Sequence, residues 1–425
     1  MSYSGGGLLE LRGDSLGEKD IEKLIAEHLR GAEEELRRDK MARRVLLIPP
    51  DHTRAHSMAG IITRILYREY YNLGVVADIM PAVGTHMQMT AAERREMFGD
   101  IPEKRFLTHD WRSDCVRIGT VPGGYVRRVS EGALAEDIPV ELDARIADGR
   151  YARIYSIGQV VPHEVVGMAN HAKNLFVGCG GRGFIGATHL LGALYGMERI
   201  IGCTDTPPRA LFDYAAGLIS GLSVTYIQTV VGSLDGKTAL KGVFLGEGRE
   251  PFERAARLSQ SENIIRTGRR FRRVVAYLDG GEFHSTWVGN KAVYRTRMMI
   301  EDGGELVIIA PGVSVFGESP EIDAQIRRFG YCGRERVLEL LRSGADIGAT
   351  TAAHLIHGSS GGRFNIVYCT ELLSEDEVRA VGYDWLPLHE AERRYGGLHE
   401  GVNSGTDGED IYLVGAPALG LWTAE

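Results

Sequence analysis

Short apolar runs alternate along this chain with amphipathic helical stretches, and that alternation limits the possible folds more than any other feature. Val45 to Ile48 is a continuous apolar run, the signature of a strand covered on both faces, and Pro49 and Pro50 end it. From Met58 to Gly74 the apolar residues at 58, 61, 62, 65, 66, 70 and 73 keep a helical period that Gly74 closes. Val75 to Val83 predicts the next strand and residues 90–99 the next helix, which together make the βαβ pattern of a parallel sheet. Residues 17–40 read as a charged amphipathic helix with Ile21, Leu24, Ile25, His28 and Leu29 on one stripe. The pattern recurs. Arg153 to Ile157, Asn174 to Val177, Val274 to Leu278, Leu306 to Ile309, Phe364 to Tyr368 and Ile411 to Val414 read as strands, with a helical stretch over 290–301. A charged segment, 247–273, separates two such blocks. The expectation is therefore an α/β protein of two α/β domains with mainly parallel sheets, divided into residues 1–268 and 269–425.

A chain of 425 residues has the volume for two such domains. Its net charge of −8 argues against a general nucleic-acid or anionic-membrane binder. No stretch reaches the roughly 18 to 20 apolar residues of a membrane span, and the N-terminus lacks a basic flank and apolar core. A cytoplasmic location is expected. Cys115, Cys179, Cys203, Cys332 and Cys369 are odd in number and scattered, so neither a zinc ribbon nor a disulfide frame is expected.

Ligands of parallel α/β sheets sit at the carboxyl ends of the strands, and three strand ends here carry polar clusters. Strand 45–48 is followed by Asp51, His52, Thr53 and Arg54; strand 75–83 by Gly84, Thr85 and His86; strand 153–157 by Pro162 and His163, then Lys173 and His189. Singly each has a bland reading, as a solvated loop histidine or a local ion pair worth about 0.5 kcal/mol. Together, at one edge of one sheet, they can do chemistry. Two histidines can exchange acid and base roles near neutral pH. Arg54 offers a fork for a carboxylate, His189 a neutral nitrogen for a metal, and Lys173 an amine for a phosphate or a covalent link. A competing signal lies in NLFVGCGGRGFIGATHL (174–190), where Gly178, Gly180 and Gly183 fit G-x-G-x-x-G. A helix-like stretch follows at 184–196, then a strand-like stretch at 199–203, and Asp205 stands 22 residues beyond Gly183. That spacing is the dinucleotide fingerprint of an NAD-dependent dehydrogenase.

The order and spacing of Asp51-His52-Thr53-Arg54, Gly84-Thr85-His86, Pro162-His163, Lys173 and His189 resemble the nickel-dependent lactate racemase family across residues 45–195, more weakly through the C-terminal half. The resemblance implies two α/β domains, the first catalytic and cofactor-binding, the second closing over a cleft between them. It implies a nickel-pincer nucleotide, nickel bound by two sulfurs and a carbon of a pyridinium-3,5-bisthiocarboxylic acid mononucleotide. On that reading Lys173 is the lysine able to form a thioamide with the cofactor, and His189 completes the nickel's coordination. His86 and His163 are the acid/base pair, Arg54 binds the substrate's carboxylate or hydroxyl, and Asp51 orients its neighbours or the cofactor. In the C-terminal domain Lys291 would bind substrate and Asn290 the cofactor. The glycines would admit backbone to the nucleotide's phosphate and the nickel centre.

The implied reaction is inversion at C2 of a small-molecule 2-hydroxy acid by hydride transfer to the cofactor and back, through a 2-oxo acid. A dehydration or net redox outcome on the same cofactor stands beside it. The lysine's neighbours depart from the family pattern: Asn170, His171 and Ala172 replace Gly-Gly-Arg, and Asn174 onward replaces Leu-Pro-Gly. Segments such as THDWRSD (108–114) and TWVGNKAVYRTRM (286–298) resemble a branch associated with sugar acids. Polar contacts from His109, Asp110, Arg112 and His284 would then slightly favour a sugar acid over a short aliphatic one.

Overall fold

The computed structural model describes residues 7–38, 44–235, 237–405, 408–418 and 420–425, with the backbone alone over 31–38. The chain divides into two compact units, residues 1–188 with 202–262 and residues 189–201 with 263–425. The division falls inside one helix, Arg182–Tyr195.

The first unit is built on a six-stranded sheet. Its strands are β1 (Leu9–Arg12), β2 (Arg44–Ile48), β3 (Val76–Ile79) and, after a separate antiparallel ribbon of β4 (Cys115–Val121) and β5 (Ile138–Asp143), β6 (Arg153–Gln159). A two-residue pair, β7 (Pro162–His163) and β8 (Gly167–Met168), precedes β9 (Val224–Leu234) and β10 (Lys237–Gly246). The spatial order is β1-β10-β9-β6-β2-β3. β9, β6, β2 and β3 run parallel, with Leu46 opposite Asp78 on one side and Ile154 on the other. β2 is fully buried from Val45 to Ile48, on both faces, which is why its sequence does not alternate. On one face, helix Ala59–Asn72 brings Ile62, Ile65 and Leu66, and helix Glu18–Arg38 brings Ile21, Leu24 and Ile25, against Val45, Leu47 and Ile157. Each such side chain removed from water contributes about 1.5–3 kcal/mol.

This order has one consequence for function. β6, β2 and β3 are adjacent and parallel, so the chain segments leaving their carboxyl ends emerge at one edge. Those segments carry Asp51 to Arg54, His86 and His163. The next helix after β3, Ala91–Phe98, begins with a capping box in which Thr90 and Glu93 satisfy each other's backbone N–H groups, fixing where the His86 segment ends.

The second unit repeats the plan with different connections. β11 (Ile264–Arg266) pairs with β18 (Leu421–Thr423). A second six-stranded sheet takes β12 (Phe271–Tyr277), β13 (Ile300–Ile309), β14 (Asn365–Cys369), β15 (Asp384–Trp385), β16 (Gly401–Ser404) and β17 (Asp410–Val414) in the order β15-β14-β13-β12-β17-β16. Only β16 is antiparallel to its neighbour. Its core gathers Val274, Ala276, Leu306, Ile308, Ile366 and Tyr368. No helix among the described residues is long and apolar enough to cross a membrane.

Three expected elements differ. Residues 174–177 do not form a strand: Ala172–Phe176 is a short helix that buries Leu175 and Phe176. Residues 199–203 are not a strand either, since Met197–Ile200 is helical. The helix expected over 290–301 is two short ones, Thr286–Gly289 and Lys291–Thr296, after which β13 begins at Ile300. Short apolar runs suit a buried helical turn as well as a strand, and here the strand positions beside them are already filled.

Candidate active site

Asp51 caps the 3-10 segment His52–Ser57, where its carboxylate accepts from the Thr53 N–H at 3.1 Å. The same carboxylate accepts from His86 Nδ1–H at 2.6 Å. Burial alone would raise the Asp51 carboxyl. The hydrogen bond and charge of His86, with Thr53 and Arg54, instead hold it below the ordinary carboxylate range. An ionised Asp51 keeps the His86 proton on Nδ1, leaving Nε2 of this exposed ring with a lone pair. His163 has the opposite arrangement. It is buried, and its Nδ1 accepts from the Val165 N–H at 3.1 Å. A nitrogen that accepts carries no proton, so in the neutral ring the proton sits on Nε2. One histidine thus presents an acceptor and the other a donor.

Lys173 lies in the helix Ala172–Phe176, and Asn174 fastens that helix to the strand ends through Ile48 O at 2.9 Å and Ile157 O at 3.3 Å. Burial, reinforced by Arg54 and Arg209 against Glu164 and Asp51, lowers the Lys173 ammonium to about 8. Asp51, Arg54, Glu164, Lys173 and Arg209 therefore share one electrostatic neighbourhood. Glu164 and Arg209 were not expected from the sequence. Glu164 is marked only by its place after His163, and Arg209 carries no sequence signal.

The glycine stretch serves the chain's own packing. A Cβ on Gly178 would lie 2.3 Å from Asn174 O, on Gly180 1.9 Å from Phe176 O, and on Gly181 2.6 Å from the Glu141 side chain. The N-terminus of helix Arg182–Tyr195, where a dinucleotide's pyrophosphate would sit, is taken by Glu141, whose carboxylate accepts from Gly183 N–H at 2.8 Å. This occupancy counts against the dinucleotide turn, since a pyrophosphate would have to displace Glu141 from the helix N-terminus. Gly84 N–H donates to Gly178 O at 2.9 Å, so the turn also steadies the His86 segment.

His109 is corrected too. It is fully buried and pairs through Nδ1 with Asp143 at 2.9 Å and through Nε2 with Gly180 O at 3.2 Å, so it is no substrate contact. Asp110 is engaged in its own turn, accepting from Arg112 N–H and Ser113. His109, Asp114 and Asp143 come close enough to share an ion. Arg145 donates to both carboxylates, and burial opposed by Arg145 and His109 leaves the Asp143 carboxyl at about 2, so a cation there would face a guanidinium. Cys179 is buried, and burial beside Asp143 pushes its thiol up, away from any nucleophilic role.

The remaining expected residues fall in the second unit. His189 is partly exposed on helix Arg182–Tyr195. Asn290 is fully buried beside Gly358, whose missing side chain leaves it room. Lys291 is partly buried with its ammonium 5.7 Å from the Phe283 ring centre, and His284 is exposed.

Fold and site together define a parallel α/β protein with a histidine–carboxylate pair, a second histidine and a depressed lysine at its strand ends. A family model described as the lactate racemase N-terminal domain matches residues 11–199. A crystal structure of a Thermotoga maritima protein is similar over 97% of this chain and 99% of that one, with 24% identity and a TM-score of 0.82. The lactate racemase apoprotein from Thermoanaerobacterium thermosaccharolyticum is similar over 96% of this chain and 93% of that one, with 16% identity and a TM-score of 0.72. At these identities the likeness is one of fold. No curated protein matches the chain significantly.

Proposed function

We propose that this protein is an isomerase, a racemase or epimerase that inverts C2 of a 2-hydroxy acid with a nickel-pincer nucleotide. The observation that carries the reading is the pair of opposite proton placements, acceptor on His86 and donor on His163, in a segment that matches the lactate racemase N-terminal domain. For one epimer His86 takes the 2-hydroxyl proton at Nε2 and His163 returns a proton from Nε2 to the oxygen of the 2-oxo acid, restoring the hydroxyl of the opposite epimer; for the second epimer the roles exchange. Arg54 holds the carboxylate as a fork and, with Lys291, fixes the acid. Asp51 keeps His86 in its productive tautomer.

The donor set suits the cofactor. Lys173 offers an amine that is partly neutral near pH 8 and so able to be acylated, while Arg54 and Arg209 place positive charge around it. Lys173, Asp51 and Asn290 would hold the nucleotide and His189 the nickel. The chemistry supplied by the bound group is reversible acceptance of the C2 hydride. A sugar acid is the preferred substrate class over a short aliphatic acid. With His109 committed elsewhere and Asp110 engaged in its own turn, that preference rests on Arg112 and His284, both exposed.

Protein co-expressed with the cofactor pathway is expected to contain nickel, to show a mass adduct at Lys173, and to exchange C2 deuterium across a panel of hydroxy acids and aldonates. His86→Ala and His163→Ala should abolish exchange and keep nickel, whereas His189→Ala should lose it. Nickel-free protein that binds NAD under these conditions would overturn the reading.

A further inference from the structure

The turn that leads into Lys173 is strained and heavily secured. Asn170 and His171 are consecutive non-glycine residues at φ of 66° and 61°, and His171 has ψ of −134°, a combination glycine ordinarily supplies. Such conformations cost about 1–3 kcal/mol each and persist only where the surroundings over-determine them. Here they do. Asn170 donates to Gln228 at 2.9 Å. His171 donates from Nε2 to Gly248 O at 2.9 Å and stacks on Tyr226 at 3.9 Å between ring centres.

The central clamp is Arg209, fully buried with no exposed surface. Its guanidinium donates to Asn170 O at 3.2 Å and to Met168 O, and it lies 4.3 Å from the Phe252 ring centre. A buried arginine is expensive, and this one is committed to the carbonyls of Met168, at the end of β8, and Asn170, in the turn, five and three residues before Lys173.

We propose that Arg209 is a positioning residue for Lys173: by clamping the Asn170–His171 turn it holds the lysine amine in its shielded place and keeps it reactive. This deepens the anchoring role given above to Lys173 and is tested apart from it. The charged groups acting on the amine are Arg54, Glu164, Arg209 and Asp51. Release of the turn would let the amine reach water and remove one of the two guanidinium charges that disfavour its protonation.

Trace acetylation of the metal-free, full-length protein with acetic anhydride over a pH series, read at Lys173 by peptide mass spectrometry, measures this without nickel, nucleotide or substrate. The wild-type midpoint is expected near about 8. Arg209→Met should move it toward the ordinary lysine value, each unit of rise slowing acetylation at pH 7 roughly tenfold, and Arg209→Lys, which keeps a buried charge, should partly restore it. Asn170→Ala, which forces a Cβ-bearing residue without the amide bond into the turn, should shift the midpoint the same way, and Asn170→Gly should restore it. A merely stabilising Arg209 would lower the melting temperature and leave the midpoint alone. A folded Arg209→Met with the wild-type midpoint overturns the proposal. Should Arg209→Met not fold, an unmoved midpoint in Asn170→Ala overturns it instead.

Discussion

At the scale of single residues, the site depends on where protons rest. Asp51 accepts from His86 while Val165 donates to His163, so two rings of identical chemistry begin with opposite capacities. The His86 arrangement requires Asp51 to stay ionised. Its carboxyl is held below the ordinary range, so the requirement is met through neutral and mildly acidic pH. Asp51→Asn is nearly isosteric, and its amide can donate where the carboxylate accepted, which would favour the wrong His86 tautomer. C2 deuterium exchange is expected to fall by about 10²- to 10⁴-fold with nickel content unchanged. Unaltered exchange in Asp51→Asn would refute the steering role. Asp51, Arg54, His86, His163 and Lys173 were legible as candidates because the sequence sets each behind a strand. Glu164 and Arg209 were not, because charge acting through space leaves no mark in the order of residues. His109 misled because THDWRSD resembles the sugar-acid branch and so suggested a substrate contact, whereas packing against Asp143 and Gly180 shows a buried structural ring.

Elements were readable where burial was simple. β2 and β14 are short, apolar and sealed on both sides, so their composition announces them. The run NLFV has the same composition but forms a helix, since the sheet beside it is complete and Asn174 ties the helix to β2 and β6. The glycine turn illustrates the limit of a spacing motif. Its glycines answer close contacts with Asn174 and Phe176 in the preceding helix and with Ala82 and Glu141, which lie far away in the chain. Gly180→Ala would drive a methyl to 1.9 Å from Phe176 O, and a loss of at least about 1–3 kcal/mol is expected in urea unfolding. His109→Leu would strip Gly180 O and Asp143 of a buried donor, at about 1–3 kcal/mol by the same measurement; unfolding midpoints equal to wild type would disprove this account of the turn.

For the whole molecule, buried neutral histidines set an acid limit. Burial and the charge of Arg209 lower His171 to about 3, and burial with Arg153 lowers His28 to about 4. The unfolded chain protonates these rings near pH 6.5 whereas the folded one does not, so between pH 6.5 and about 4 the unfolded state binds more protons. Stability must then fall with falling pH, by about 1.4 kcal/mol per pH unit for His171. His171→Phe should flatten this slope in urea titrations at pH 7 and 4.5, and an unchanged slope would contradict the neutral buried ring. The sequence by itself determined the α/β class and the parallel βαβ unit whose strand ends carry the polar clusters, because apolar runs and helical periods are local signals that the backbone must obey. Only the tertiary structure decided which polar residues face the site and which hold it up. That choice depends on contacts between residues far apart in the chain, such as Arg209 with Asn170 and His109 with Gly180, and on the desolvation and charge that those contacts create.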